Sequence, residues 1–166
     1  SNDLDSVAAV EVSASGPDRV SEEATYLYSD SGRVLNQLRA GRVSEYITTT
    51  PQRTELEEGI ELTFFNRDGE PGSVLKARKG RMLPEAKRME VEDQVVFTNA
   101  KGERLETEQL IWSQDSHRVH TDRPVRITRE QDILFGQGLD ANEDFSRYTI
   151  RRITGSLYLD HDTLAP

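Results

Sequence analysis

Along most of the chain, apolar side chains recur at every second position, and short polar turns break the runs. Val34, Leu38 and Ala40 share one parity, as do Ile60, Leu62 and Phe64, and then Leu75 with Ala77. Met89, Val91, Val95 and Phe97 continue the pattern, followed by Leu105 with Thr107, Val125 with Ile127, and Tyr148 with Ile150. On a strand, same-parity side chains point to one face. β-Branched and aromatic residues are frequent in these runs, as strands prefer. The turns contain Gly32, Gly69 and Gly102, where glycine accepts the positive φ that hairpins demand. The segment from Leu35 to Val43 fits a short helix on period alone, but its flanking glycines and its likeness to the other hairpins argue for a strand. The pattern predicts about a dozen antiparallel strands and no helix.

The same unit returns along the chain. YLYSDSGRVLNQLRAGRV begins at Tyr26, LTFFNRDGEPGSVLKARKGRM at Leu62, VVFTNAKGERLETEQLIW at Val95, and a looser VRITREQDILFGQGLDAN at Val125. The turn glycines recur roughly every 35 residues, the mark of stacked hairpins. One hairpin has one apolar face and cannot bury it alone, so two sheets must face each other. The expectation is an all-β fold of two antiparallel sheets built from successive hairpins, one domain over residues 24–166. Residues 1–23 are rich in Ser, Ala and acid and hold no aromatic residue. They read as an acidic linker, within which Val7 to Val12 is suited to pair as an extended strand.

Composition narrows the function classes. The chain has 166 residues, 34% hydrophobic and 31% charged, enough for one domain with a core. It contains no apolar run approaching the roughly 20 residues of a membrane-spanning helix, and no apolar signal-peptide region. There is no cysteine, which excludes disulfides and thiolate metal sites. The net charge of −9 argues against nucleic-acid binding by a broad basic face.

No catalytic set emerges. His117 and His120 form an HxxH, but three residues apart on a strand means opposite faces, so one metal ion cannot easily take both. His161 reads as solvated. No GxSxG elbow and no GxGxxG loop is present, and Gly136 with Gly138 reads as a bend or bulge in a strand. No carboxylate pair stands apart from the many present. The expectation is a non-enzyme without metal or cofactor.

Stacked hairpins make a long trough between two sheets, suited to something long, thin and apolar. They also end in edge strands, which invite another sheet to pair. The residues of consistent parity expected to line the trough are Tyr28, Val34, Leu38, Leu62, Phe64, Leu75, Val91, Val95, Phe97, Leu105, Trp112, Ile127 and Tyr148. Each has a plainer reading as ordinary core, Trp112 above all.

The run SVLKARKGRMLPEAKRMEVEDQVVFTNAKGERLETEQLIW, continuing into TDRPVRI and ILFGQGLDANED, resembles the LptC family. The hairpin from Val96 and Asn99 through Gly102, Leu105, Thr107 and Leu110 carries the likeness. So do the strand from Asp122 to Ile127 and the later Gly136, Gly138 and Asn142. The likeness covers about residues 24–159. It implies a twisted open β-jelly roll in the periplasm, tethered to the inner membrane by a helix ahead of residue 1. It further implies that lipopolysaccharide is taken from an inner-membrane ABC transporter complex and passed to a periplasmic bridge protein of the same fold. Acyl chains would lie in the trough. Partner contacts would fall on the terminal strands, at Tyr26 and Tyr28 on one side and Gly155, Leu157 and Leu159 on the other. Other readings stay open at this point: a carbohydrate-binding or carbohydrate-active β-solenoid, a structural β-domain with a packed interior, or the soluble bridge protein itself.

Overall fold

The computed structural model describes residues 16–159. Val7 to Val12 and His161 lie outside the described residues. Ten strands follow in order: β1 (Arg19–Asp30), β2 (Arg33–Tyr46), β3 (Arg53–Phe65), β4 (Pro71–Ala77), β5 (Lys79–Leu83), β6 (Arg88–Asn99), β7 (Arg104–Ser113), β8 (Arg118–Thr128), β9 (Asp132–Asn142) and β10 (Tyr148–Tyr158). All pairings are antiparallel, in the order β1-β2-β3-β4-β6-β7-β8-β9-β10, with β5 paired to β3 and β6. The segment from Leu35 to Val43 is strand, within β2. The first strand starts at Arg19, and Arg19 to Glu22 pair with β2. Ten strands lie among the described residues, and in β2, β3 and β6 the runs on either side of a bend belong to one strand.

The bends fall on one line. Glu23 of β1 has a φ of 49° and stands opposite Gly41 of β2, where the β2–β3 register breaks. Gly41 in turn faces Glu58 and Gly59 of β3, with φ of 60° and 92°. Next comes Arg78, the break between β4 and β5, whose carbonyl accepts from the Gly59 N–H and whose N–H donates to the Asp93 carbonyl, each at 3.0 Å. Asp93 and Gln94 of β6 also have positive φ. The break continues between Glu106 and Ile111 of β7 and between Thr121 and Pro124 of β8. It reaches Gly138 of β9, with a φ of 80°. Bulges bend a strand and sharpen its twist. Aligned across neighbouring strands, they form a crease that folds one continuous sheet into two facing layers.

The two layers share one core. Phe64 lies on one side of the crease and Trp112 on the other, yet their rings meet edge to face with centroids 5.1 Å apart. Leu56, Leu62, Met89, Leu105, Leu110, Ile127 and Leu139 are fully buried around them. The outer face carries cross-strand ion pairs, among them Lys76–Glu61 at 3.8 Å, Lys79–Glu92 at 3.7 Å and Arg126–Glu106 at 3.3 Å. Exposed pairs of this kind contribute about 0–1 kcal/mol each, so they keep this face polar more than they hold the fold.

Arg151 of β10 clamps the crease at its far end. It donates to Asp122 Oδ1 at 2.7 Å and to the Thr121 carbonyl, and its Nε lies 3.2 Å from Asp140. Gly138 leaves room for it, since a Cβ there would lie 3.0 Å from the Arg151 Nε.

Two carboxylates, the exposed Asp18 and the partly buried Asp132, fasten the strand ends. Asp18 accepts from the backbone N–H groups of Ile47 and Thr48 at 2.6 and 3.0 Å. Those bonds, Thr48 first, hold its carboxyl below the usual range. Asp132 pairs with Arg129 across the β8–β9 turn at 2.6 and 2.5 Å, which lowers its carboxyl too. A carboxylate lowered on folding contributes stability above its unfolded pKa, and that contribution is lost as pH falls through the folded value. The melting temperature is therefore expected to fall as pH is lowered from neutral to about 3. Asp18→Asn should flatten part of that acid limb, as checked by thermal unfolding monitored by circular dichroism.

Candidate functional site

The crease brings most of the sequence-predicted lining together. Leu38, Leu62, Phe64, Leu75, Val91, Val95, Phe97, Leu105, Trp112 and Ile127 all join one buried cluster, and Tyr148 packs partly buried against it. Val34 is partly buried at the start of β2. Tyr28 stands apart, 59% exposed on β1. The open apolar trough expected from the alternation is closed in this structure, its interior filled by these side chains. A surface concavity of about 700 Å³ lies at the crease, bordered by Glu23, Ala24, Arg39, Gly59, Glu61 and Lys76, and none of the predicted lining residues borders it.

The closure has a specific cause. The turn between β9 and β10, residues 143–147, folds back across the gap between the layers. Phe145 has a φ of 56° and is fully buried. Its ring stacks on Phe97 with centroids 5.1 Å apart and lies 4.8 Å from Tyr148. With Phe64 6.4 Å from Phe97, the rings run in one chain from Trp112 to Tyr148. Such pairs contribute about 0.5–1.5 kcal/mol each beyond their burial.

Polar bonds hold the turn down. Ser73 Oγ donates to the Glu143 carbonyl at 2.7 Å, and Asn99 Nδ2 donates to the Phe145 carbonyl at 2.9 Å. His117, in the β7–β8 turn, meets Glu143 through Nδ1 at 2.5 Å. Burial pushes the Tyr148 phenol up, and a hydrogen bond with Arg129 opposes the rise. The turn is also braced from within, as Asn142 Oδ1 accepts from the Arg147 N–H at 3.0 Å and Asp144 Oδ1 from the Ser146 N–H at 2.9 Å. Sequence reasoning missed Phe145, Ser73 and Asn99 as parts of one site. The available signal was a lone aromatic inside the polar stretch Asn142-Glu-Asp-Phe-Ser-Arg147.

His117 and His120 do not share a ligand site, since His117 is taken up with Glu143 and His120 lies within β8. Among the described residues, no group of three His, Asp or Glu side chains is placed to hold a metal ion. No helix among them is long and apolar enough to cross a membrane.

The two edge strands differ from the rest. Val20, Tyr26, Leu27 and Tyr28 are exposed on β1, and Ile153, Leu157 and Tyr158 on β10, with Tyr158 at 75%. Tyr26 pairs with the buried Leu38 in register, so the inner face of β1 continues the core outward. Gly155 pairs with Phe135 within β10, and Leu159 follows the strand, its N–H donating to the Gln131 carbonyl at 2.7 Å. The edges also differ in charge. β1 holds Glu22, Glu23 and Asp30 against Arg19, whereas β10 holds Arg151 and Arg152 and no carboxylate.

A family model described as lipopolysaccharide-assembly, LptC-related, matches residues 2–156. Among solved structures, LptH, described as the LptA-homologous periplasmic component of the lipopolysaccharide transport device of Pseudomonas aeruginosa, aligns at 13% identity and a TM-score of 0.48. That alignment covers 70% of this chain and 97% of that chain. No curated protein matches.

Ser73→Ala is expected to cost about 1 kcal/mol, the net worth of the part-buried hydrogen bond to the Glu143 carbonyl. Urea unfolding of the two proteins measures it.

Proposed function

The chain belongs to the LptC-related lipopolysaccharide-assembly family, periplasmic transport proteins and not enzymes, and on that premise we propose that its folded sheet carries the acyl chains of lipopolysaccharide. In this reading the domain accepts lipid from an inner-membrane ABC transporter complex, while a helix ahead of the chain tethers it to that membrane. It hands the lipid to a periplasmic bridge protein of the same fold. The observation that supports this best is the distribution of apolar surface. A continuous apolar interior runs between the layers, and it reaches solvent at the two unpaired edges, β1 and β10.

The chemistry suits the task. Each buried CH₂ is worth about 0.8 kcal/mol, so an acyl chain is a large apolar load. A series of apolar contacts holds such a load without a covalent or charged anchor, and so permits release. The net charge of −9 disfavours trapping of lipid phosphates. The sequence has no nucleotide-binding motif, so the driving energy comes from upstream. Lipid enters by parting the layers, with the crease as hinge.

The edges provide continuity. An exposed edge strand offers unpaired N–H and C=O groups to a neighbouring sheet. The acidic β1 and the basic β10 favour a head-to-tail order, in which β10 receives an acidic edge of the bridge partner. Tyr26 and Tyr28 face the membrane complex in this arrangement, and Gly155, Leu157 and Leu159 face the bridge.

Two experiments test the reading. A photoreactive amino acid at Tyr28, on the inner face of β1, is expected to cross-link lipopolysaccharide, and the same group at Leu27, on the outer face, is not. Equal labelling at the two positions would refute the interior route. Leu157→Glu should weaken capture of a bridge protein about tenfold or more, the scale of losing one buried apolar contact to a charge, while lipid cross-linking at position 28 persists. Unchanged capture would remove β10 as the bridge edge.

A further inference from the structure

The largely apolar interior holds several polar side chains, among them Thr107 and Thr121, and three of them, Ser73, Asn99 and Trp112, belong to the aromatic seat and the turn that covers it, each at least nine-tenths buried. Ser73 is 1% exposed, and Asn99 and Trp112 are each 7% exposed. Ser73 Oγ–H and Asn99 Nδ2–H are both spent on backbone carbonyls of the β9–β10 turn. Trp112 Nε1–H has no acceptor. It belongs to the same site, because Phe64 touches both Trp112 and Phe97, and Phe97 is the seat of Phe145.

A buried donor without a partner carries a desolvation penalty, so any group that displaces the turn must bring acceptors for Ser73 and Asn99. These donors match carbonyl oxygens that enter with an apolar group attached. The turn has that chemistry: the amide carbonyls of Glu143 and Phe145 meet the donors, and the Phe145 ring fills the apolar seat between Phe97 and Tyr148.

We propose that the β9–β10 turn occupies a subsite for an ester- or amide-linked acyl chain. The cargo displaces the turn by presenting its own carbonyl to Ser73 and Asn99 and its hydrocarbon to Phe97. Trp112 supplies a further donor to a second carbonyl or hydroxyl of the cargo. Closure of the empty interior and recognition of the acyl linkage are then one device: the turn seals the interior until a ligand of the same chemistry replaces it. This inference rests on the lipid-carrying reading above and adds which atoms of the lipid are read.

The test exploits the lack of native cysteine. In Ser73→Cys/Glu143→Cys the two side chains start from residues already bonded across the gap, and a disulfide between them pins the turn in place. The probes are dipalmitoyl phosphatidate and its dihexadecyl ether counterpart, presented in detergent micelles. Binding is read from emission of Trp112, the single tryptophan. The oxidised variant is expected to bind the ether lipid, which does not call on the Ser73 hydroxyl, at least about tenfold more weakly than the same protein reduced. The wild type should prefer the ester to the ether several-fold, and Ser73→Ala should lose most of that preference, as expected for one hydrogen bond. Equal binding by oxidised and reduced protein overturns the displacement of the turn. Equal binding of ester and ether by the wild type overturns the reading of the carbonyl. If the wild type binds neither lipid, the lipid-carrying reading fails, and this inference falls with it.

Discussion

The structure depends on the crease. A long antiparallel sheet with one apolar face has no partner layer of its own, and no helix among the described residues provides one. The sheet must bury its face against itself. It does so because every strand from β1 to β9 yields at the same place, through a bulge, a break or a residue of positive φ. Glu23, Gly41, Glu58, Gly59, Arg78, Asp93, Gln94 and Gly138 lie on that line. Phe64 and Trp112 then become neighbours, although three strand pairings separate them along the sheet.

Folding a single sheet in this way has a mechanical consequence. The hydrogen bonds run along each layer and across the crease, whereas among the described residues the two rims opposite the crease meet through side chains and the β9–β10 turn. Ser73, Asn99, Phe97 and His117 hold the β9–β10 turn there. A closed core and a carrier function are compatible because the contacts that seal the interior are few and non-covalent. In the proposed carriage of lipid, parting the layers would expose apolar surface, which water penalises and an acyl chain relieves.

At its two ends the interior meets solvent, and the exposed aromatic and aliphatic residues gather on β1 and β10. An edge with free backbone groups and exposed apolar side chains is a hazard for a lone protein, yet it is what a protein built to be extended by a neighbour requires. The opposite charge of the two edges disfavours pairing of like with like, since directly opposed like charges destabilise a sheet.

Much of this was legible without coordinates. Alternation specified strands because a strand has a period of two, and Leu62 with Phe64, or Phe97 with Val95, duly share the buried face. The turn glycines marked hairpins because positive φ is costly elsewhere. Parity failed where the crease intervenes: Ala40 and Val43 both face inward, as do Thr107 and Leu110, because one extra residue at a bulge reverses the alternation. In β6 the two residues Asp93 and Gln94 bulge together, so Met89, Val91, Val95 and Phe97 stay in step. Local pattern thus determined the strands, the apolar set and the edge residues. Only the tertiary structure decided that the bulges align, that the trough is shut, and that Phe145 shuts it. Those facts depend on contacts between residues distant in the chain, such as Ser73 with Glu143, and no periodicity within a strand encodes them.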